Sequence, residues 1–514
     1  MPDNSSSNKR IAKNSLFLSI RMVIVLLISL YTTRVILQVL GVIDYGVYNV
    51  VCGFVTMFAF LNLSLSNGIQ RFFNYEFGKN GEEGANKVYC TSLYIQALFS
   101  IVVVIIVEVF GLWYLHNKMV IPNDRMIAAE WIFQLSILTF VLGIMQAPFA
   151  AAVTAHEKFD FYAVVSVLDA VLKLGIVYLI KLISVDKLIL YGILSTAVAL
   201  LNIILYFIYC KKNFKEIHFR KDIDKELFKK MLGFSGWNLF GSFSNVMEVQ
   251  GINLVMNFFY GPVVNAARGV ANQINGGVQS FVSNIAMPVR PQVTQSYAKG
   301  DIQRTMGLTY SISKMSCAIV FILAIPASIE IDYILRLWLG NTIPSHTASF
   351  TMLVLLTSVV NNLNAIISNV VHATGIMRDY QFWGSIVRVS SVPVAYFLIF
   401  YFDFPEMGLI AVFLMASATH LICLFIAKKI VGFSMTEYFR MVILPILVIF
   451  IISVMAIYPV HCLLQEGPMR LIFVCIFSVI IIGILFFYYA FNSSERQLTM
   501  QLFNPVLSLF KKLK

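Results

Sequence analysis

Nine charged residues sit well inside long apolar stretches of this 514-residue chain. Six are basic (Arg21, Arg34, Lys173, Arg268, Lys314 and Arg388) and three are acidic (Glu108, Asp169 and Glu248). Charges so placed are rare and tend to face a protein interior or a water-filled cavity. The cationic excess suits an anionic ligand, for which arginine supplies a rigid fork of donors. Around Arg268 the sequence adds amides. Asn265, Arg268, Asn272, Asn275 and Gln279 fall at i, i+3, i+7, i+10 and i+14, one continuous stripe on a helix. Such a stripe either glues helices together by hydrogen bonds or offers donors and acceptors to the hydroxyls of a glycan. The preceding stretch carries Asn238, Ser242, Ser244, Asn245, Glu248, Gln250 and Asn253, so the two form the most polar pair in the chain.

Each charge also has a structural reading. Arg21 lies about one turn inside the first stretch, Arg34 lies near its far third, and both can snorkel to an interface. Lys314 and Arg388 share a depth from which the same holds. Asp169 and Lys173 are spaced i, i+4 and can neutralise each other. His372 and His420 are packing residues or proton relays. If transport is coupled to Na⁺ or H⁺, the candidates are Asp169, Lys173, Glu248 and His372. Signatures of bond-making chemistry are missing: the sequence has no GxxxxGK[ST], no HExxH and no GxSxG. Asp222-Ile223-Asp224 matches a metal-holding DxD but reads as a solvated charged loop. The seven cysteines are scattered without a CxxC, so metal or redox roles are not expected, and no cofactor is called for.

The elements that must position these residues are helices. Apolar residues make up 59% of the chain and charged residues 12%, about half the usual share in soluble domains of about 25%. Fourteen apolar stretches are expected to span a membrane, roughly 16–40, 45–68, 88–113, 129–152, 161–182, 188–210, 233–259, 263–289, 306–331, 347–373, 380–402, 407–427, 440–460 and 469–491. The fold class is therefore an all-α polytopic membrane protein. With both termini in the cytoplasm, the cytoplasmic connections and tails hold 26 of the 38 Lys and Arg. Positive-inside bias thus accounts for the +12 net charge, and a nucleic-acid partner is not expected. The first stretch is too long for the h-region of a cleaved signal.

The stretches group as two related lobes. After a tail (1–13) comes an N-lobe of six helices (14–210), then a basic linker (211–230) and a second six-helix lobe (231–430). A helical pair (431–491) and an amphipathic tail (492–514) follow. The internal echo is Ile69-Gln70-Arg71 with Lys79, Gly81 and Glu82, against Pro288-Val289-Arg290 with Lys299, Gly300 and Asp301. Parallel repeats about the membrane normal recur in transporters. Gly276-Gly277, with Pro288 and Pro291 beyond, offers places to bend.

Two six-helix lobes with a terminal pair, an Arg-bearing first span and the run Asn265-Ala266-Ala267-Arg268-Gly269-Val270-Ala271-Asn272-Gln273-Ile274 resemble a known group. This is the polysaccharide-exporter branch of the multidrug/oligosaccharidyl-lipid/polysaccharide (MOP) superfamily, and within it the Wzx-type flippases. The resemblance covers about residues 14–491 and rests on architecture more than on fixed motifs. It implies a MATE-like pair of lobes opening alternately to each side of a bacterial plasma (inner) membrane. The cargo would be an undecaprenyl-pyrophosphate-linked oligosaccharide destined for lipopolysaccharide O-antigen or capsule. The partners would be that lipid-linked glycan, membrane lipids and other polysaccharide-assembly membrane proteins. Cavity arginines of the group are associated with the pyrophosphate; Arg268 matches one, and Arg21 and Arg34 compete for the other. A cation-coupled MATE-type drug exporter, using Asp169 and Glu248, is the alternative reading. An integral-membrane polymerase or acyltransferase is the rival from another class, and no enzyme is expected.

Overall fold

A computed structural model describes residues 4–156, 158–220, 224–286, 293, 296, 297, 300–374, 376, 378–493, 495 and 496. Side chains of 4–20, 61, 63, 64, 67, 71, 74, 78, 233–238 and 284–286 lie outside that description. So do several features expected from the sequence: the DxD at 222–224 in part, the side chains of Arg71, Asn238 and Asn284, Pro288, Arg290, Pro291 and Lys299, and the tail beyond Arg496.

Among the described residues the chain is helical and has no strand. The order is α1 (Asn4–Thr56), α2 (Ala59–Ile106), α3 (Leu112–Asn117), α4 (Met126–Ala155), α5 (Phe159–Lys181), α6 (Lys187–Asn213), α7 (Lys225–Tyr260) and α8 (Pro262–Ala286). Then come α9 (Ile302–Ile329), α10 (Ile331–Leu339), α11 (Thr347–Thr374), α12 (Arg378–Val389), α13 (Ser391–Phe402), α14 (Glu406–Val431), α15 (Met435–Tyr438), α16 (Leu444–Leu463) and α17 (Pro468–Leu485). Short π segments at Val107–Gly111, Phe439–Ile443 and Phe486–Ala490 extend their neighbours. Gly41 turns the chain inside α1 at φ +80, and Gly261 separates α7 from α8 at φ +74. Only glycine takes such angles without a Cβ clash.

Eleven helical segments among the described residues are long and apolar enough to cross a membrane. Three of the fourteen expected stretches, 45–68, 233–259 and 263–289, are not in this apolar set, for two physical reasons. The expected stretch 45–68 is interrupted at Met57-Phe58. The polar helices α7 and α8 are long enough, but their amides and glycines keep them out of the apolar set. The exposed large side chains, such as Phe397, Phe400, Tyr401 and Met455, are those a bilayer would cover.

Contacts divide the chain into two compact units. The first comprises residues 1–273, 338–347 and 388–412, and the second 274–337, 348–387 and 413–514. In the first, one core joins Val47, Val50, Val107, Leu115, Ile132 and Phe133, and another joins Ile69, Phe73, Tyr89, Phe149, Tyr206 and Met231. Part of the basic linker is drawn into this unit. Asn86 Nδ2 donates to the carbonyls of Glu216 (2.6 Å) and His218 (2.7 Å), and Phe214 stacks on His156. At one end of the unit Arg125 forks onto Asp44 (2.7 and 2.6 Å) and reaches Asp186 (2.8 Å). Burial works to raise the Asp186 pKa. The amides of Ile189 and Leu188 and the Arg125 guanidinium outweigh it and hold that carboxyl below the usual range.

The second unit packs α9, α11, α14, α16 and α17 around Phe321, Ile367, Leu424, Ile449, Val474 and Phe486. Fully buried Glu330, at the α9–α10 turn, accepts from His461 Nδ1 (2.7 Å) and from two nitrogens of Arg470 (3.1 and 2.8 Å).

Candidate functional site

The site is built on the α7–α8 hairpin and on what packs against it in the first unit. Asn265 is fully buried at the start of α8. Its Nδ2 donates to the carbonyl (2.8 Å) and Oδ1 (2.7 Å) of Asn253, and its Oδ1 accepts from Asn257 Nδ2 (3.0 Å). Asn257 Oδ1 accepts from the amide of Val120 (2.9 Å). Asn265 is therefore spent inside the hairpin, which corrects its expected place on a ligand-facing wall. At its end of the stripe the amides are glue. The remainder differs: Asn272 is exposed, Gln279 is half-buried, and Asn275 Oδ1 is buried without a partner.

The last part of α1 lies against this hairpin at small-residue spacing, as close helix packing in membranes requires. A Cβ on Gly46 would sit 2.0 Å from the Pro262 carbonyl oxygen. One on Gly53 would meet Gln250 at 2.7 Å, and one on Gly269 would meet Asn49 at 3.0 Å. Further along, Gln273 Nε2 donates to Ser29 Oγ (2.9 Å), and Trp338 Nε1 donates to the Leu30 carbonyl (2.7 Å).

Behind this seam lie Arg268, Glu248 and Arg388. Arg268 is 5% exposed and its Nε is buried with no hydrogen-bond partner. Glu248, 6% exposed on α7, feels the charges of both Arg388 and Arg268. Arg388 Nε stands 3.3 Å from Glu248 Oε2, and its Nη1 makes a long contact of 3.5 Å with Asn245 Oδ1, one turn earlier on α7. Arg388 sits at the end of α12, where the helix breaks at Ser390. Pro393 explains the break, because its ring collides with the carbonyl four residues back, at Val389. The result is two guanidinium groups and one carboxylate, net positive, largely withdrawn from solvent.

The other expected residues are dispersed. Arg21 stacks its guanidinium 4.7 Å above the Tyr162 ring, near the start of α5, with Nε buried and unpartnered. Arg34 is half-buried on α1. Asp169 binds Lys173 (2.9 Å) and Asn202 Nδ2 (2.7 Å), so the i, i+4 pair closes on itself. His372 is exposed at the end of α11. Lys314 neither snorkels nor joins an arginine. Buried in the second unit, it binds Glu495 (2.5 Å) and the Ala490 carbonyl (3.0 Å).

With this arrangement in view, the comparisons with known proteins are decisive. The model of the family described as polysaccharide biosynthesis protein matches residues 11–295, more than half of the chain. The chain belongs to that family. A relative in Bacillus subtilis (strain 168), the uncharacterized membrane protein EpsK, is 21% identical over 318 residues, 61% of this chain and 62% of that one. The match thus spans less than two thirds of the relative's length. Among solved structures, the fold is similar to the lipid II flippase MurJ in an inward closed conformation. There the TM-score is 0.66 at 15% identity, covering 91% of this chain and 97% of that one. It is also similar to an inward-facing multidrug resistance MATE family transporter of the MOP superfamily, with TM-score 0.65 at 12% identity, covering 79% and 94%. The chain thus shares its fold with MurJ and with the MATE transporter, in a multi-pass membrane protein.

In this polysaccharide biosynthesis protein some contacts of the expected residues escaped sequence reasoning. Tyr162 under Arg21 and Arg388 beside Glu248 join residues far apart in sequence, and no local pattern pairs them. Glu495 did carry a signal. Asn492-Ser493-Ser494-Glu495 has the spacing of a capping box, and the structure shows both of its bonds: Glu495 N to Asn492 Oδ1 (2.9 Å) and Asn492 N to Glu495 Oε2 (2.6 Å).

Proposed function

We propose that this protein is a flippase. It carries an undecaprenyl-pyrophosphate-linked oligosaccharide from the inner to the outer leaflet of a bacterial plasma membrane, for surface polysaccharide such as O-antigen or capsule. The observation that carries this reading is buried Arg268 and half-buried Arg388, both acting on the carboxylate of Glu248, within a membrane protein of the polysaccharide biosynthesis family. A pyrophosphate is the part of such a lipid that a hydrocarbon core rejects, and fixed guanidinium groups are the side chains best matched to it. The exposed Asn272 and half-buried Gln279 supply hydrogen bonds to sugar hydroxyls without selecting one sugar. The prenyl chain stays in lipid, no bond is made or broken, and both termini face the cytoplasm. MATE family transporters of similar fold are solved in inward-facing and outward-facing conformations, which supports a mechanism of alternating access.

A drug exporter in this fold needs an acid free to take a cation. Here Asp169 is occupied by Lys173 and Glu248 by Arg388, which disfavours that reading. The test is a strain lacking the gene, with its lipid-linked oligosaccharides quantified and assigned to a leaflet. The expected result is accumulation on the cytoplasmic face, with surface polysaccharide restored by the wild-type gene but not by Arg268→Ala expressed at equal level. Unchanged glycolipid with increased sensitivity to cationic dyes overturns the flippase reading.

A further inference from the structure

Two pairs of arginines among the described residues are held differently. Arg125 and Arg470 each direct several nitrogens onto carboxylates: Arg125 forks onto Asp44 and also holds Asp186, and Arg470 turns two nitrogens onto Glu330. Those are the contacts of structural clamps. Arg388 and Arg268 are not held this way. Arg388 meets Glu248 through one nitrogen at 3.3 Å, and its amide contact is at 3.5 Å. Arg268 is 5% exposed and keeps a buried Nε without an acceptor. An unfilled buried donor on a cation is costly, and evolution could have removed it by placing a second carboxylate nearby, as beside Arg125. Instead Glu248 contacts Arg388 and is felt by Arg268 only through its charge.

We infer that Glu248 is a built-in counter-anion, occupying in the empty protein the position that a phosphate group of the cargo takes. This rests on the flippase reading above. Without Glu248 the pocket would hold two bare cations in a poorly solvated place, and the cost of desolvation would fall on the empty protein. With it, the cluster keeps a single net positive charge until an anion of higher charge and more acceptor oxygens arrives. Those oxygens fill the Arg268 Nε and the remaining Arg388 donors, and the carboxylate is set aside. Glu248 stays tethered within reach, so it competes for the same donors on the far side and helps the cargo leave. A carrier needs binding strong enough to load and weak enough to unload. A tethered competitor supplies the second half.

The test uses purified full-length protein in nanodiscs with farnesyl pyrophosphate as a short-chain probe. Binding is measured for wild type, Glu248→Gln, Glu248→Asp, Arg268→Ala and Arg388→Ala. Removing the competitor should tighten probe binding roughly tenfold, a change equal to about 1.4 kcal/mol, while slowing probe release in stopped-flow displacement. Glu248→Asp, which draws the carboxylate back by one methylene, should fall between wild type and Gln, and it serves if Gln does not fold. Either arginine variant should weaken binding at least about tenfold. If the Glu248 variants bind equally or more weakly while the arginine variants lose binding, the counter-anion role is overturned and the cationic site stands. If the arginine variants bind like wild type, the pyrophosphate site itself falls, and with it the reading on which this inference rests.

Discussion

Replacing Lys314 by methionine separates a transport cation from a structural one. Lys314 is 4% exposed and Glu495 is 4% exposed, and their charged groups lie 2.5 Å apart. Breaking a buried pair by removing one partner costs about 3–5 kcal/mol, because the survivor keeps its desolvation penalty. The structure ranks the two singles. After Lys314→Met, Glu495 still accepts from Ser311 Oγ and from the Asn492 amide, so the loss belongs near about 3 kcal/mol. After Glu495→Gln, the ammonium keeps only the Ala490 carbonyl and an amide oxygen, so the loss belongs near about 5 kcal/mol. The double variant removes both charges. It should recover about 2–3 kcal/mol relative to the sum of the singles, the upper part of the range for contacting residues. The assay is unfolding of the detergent-purified protein in mixed micelles, with surface polysaccharide measured in parallel. Additive singles would refute the pairing. A stable Lys314→Met protein that fails to export glycan would return Lys314 to the cargo path.

Two further outcomes follow from the first unit. The Asp186 carboxyl is held below its ordinary value, so its contribution to stability is complete above the unfolded value, about pH 4, and is lost as pH falls through the lower folded value. The thermal stability gap between wild type and Asp186→Asn should therefore be constant from neutral pH down to about pH 5 and close below about pH 4. Gly46→Ala places a methyl 2.0 Å from the Pro262 carbonyl. It should cost about 1–3 kcal/mol or more by overpacking, whereas Gly143→Ala, with nothing within 4 Å, should be neutral or slightly stabilising in the same unfolding assay.

The helices were legible because each apolar stretch must satisfy its own backbone in lipid, and that need writes itself into composition. Asp169 and Lys173 were legible for a similar reason: their partnership is local, four residues apart on one helix. The polar stripe on α8 was visible but its use was not. Asn265 and Asn272 look alike in sequence, and only the approach of Asn253 and Asn257 from α7 commits the first to packing. Lys314 was placed by depth alone, a measure blind to an acid 181 residues away. The expected stretches 233–259 and 263–289 correspond to α7 and α8, the most polar of the long helices and the ones that carry Glu248 and Arg268.

The Glu330 clamp bears on the timing of biosynthesis. Its partners His461 and Arg470 lie 131 and 140 residues further along the chain. At roughly 5–20 residues per second, the ribosome needs about 7–28 s after making Glu330 before Arg470 exists. Throughout that interval the turn between α9 and α10 carries an acid without its Arg470 counter-charge, and the second unit lacks α17. That half of the protein is consequently a dependent of its own final segment. Termination between residues 413 and 469 leaves the second unit unfinished, a ready substrate for quality-control proteolysis, while all residues of the first unit have been made.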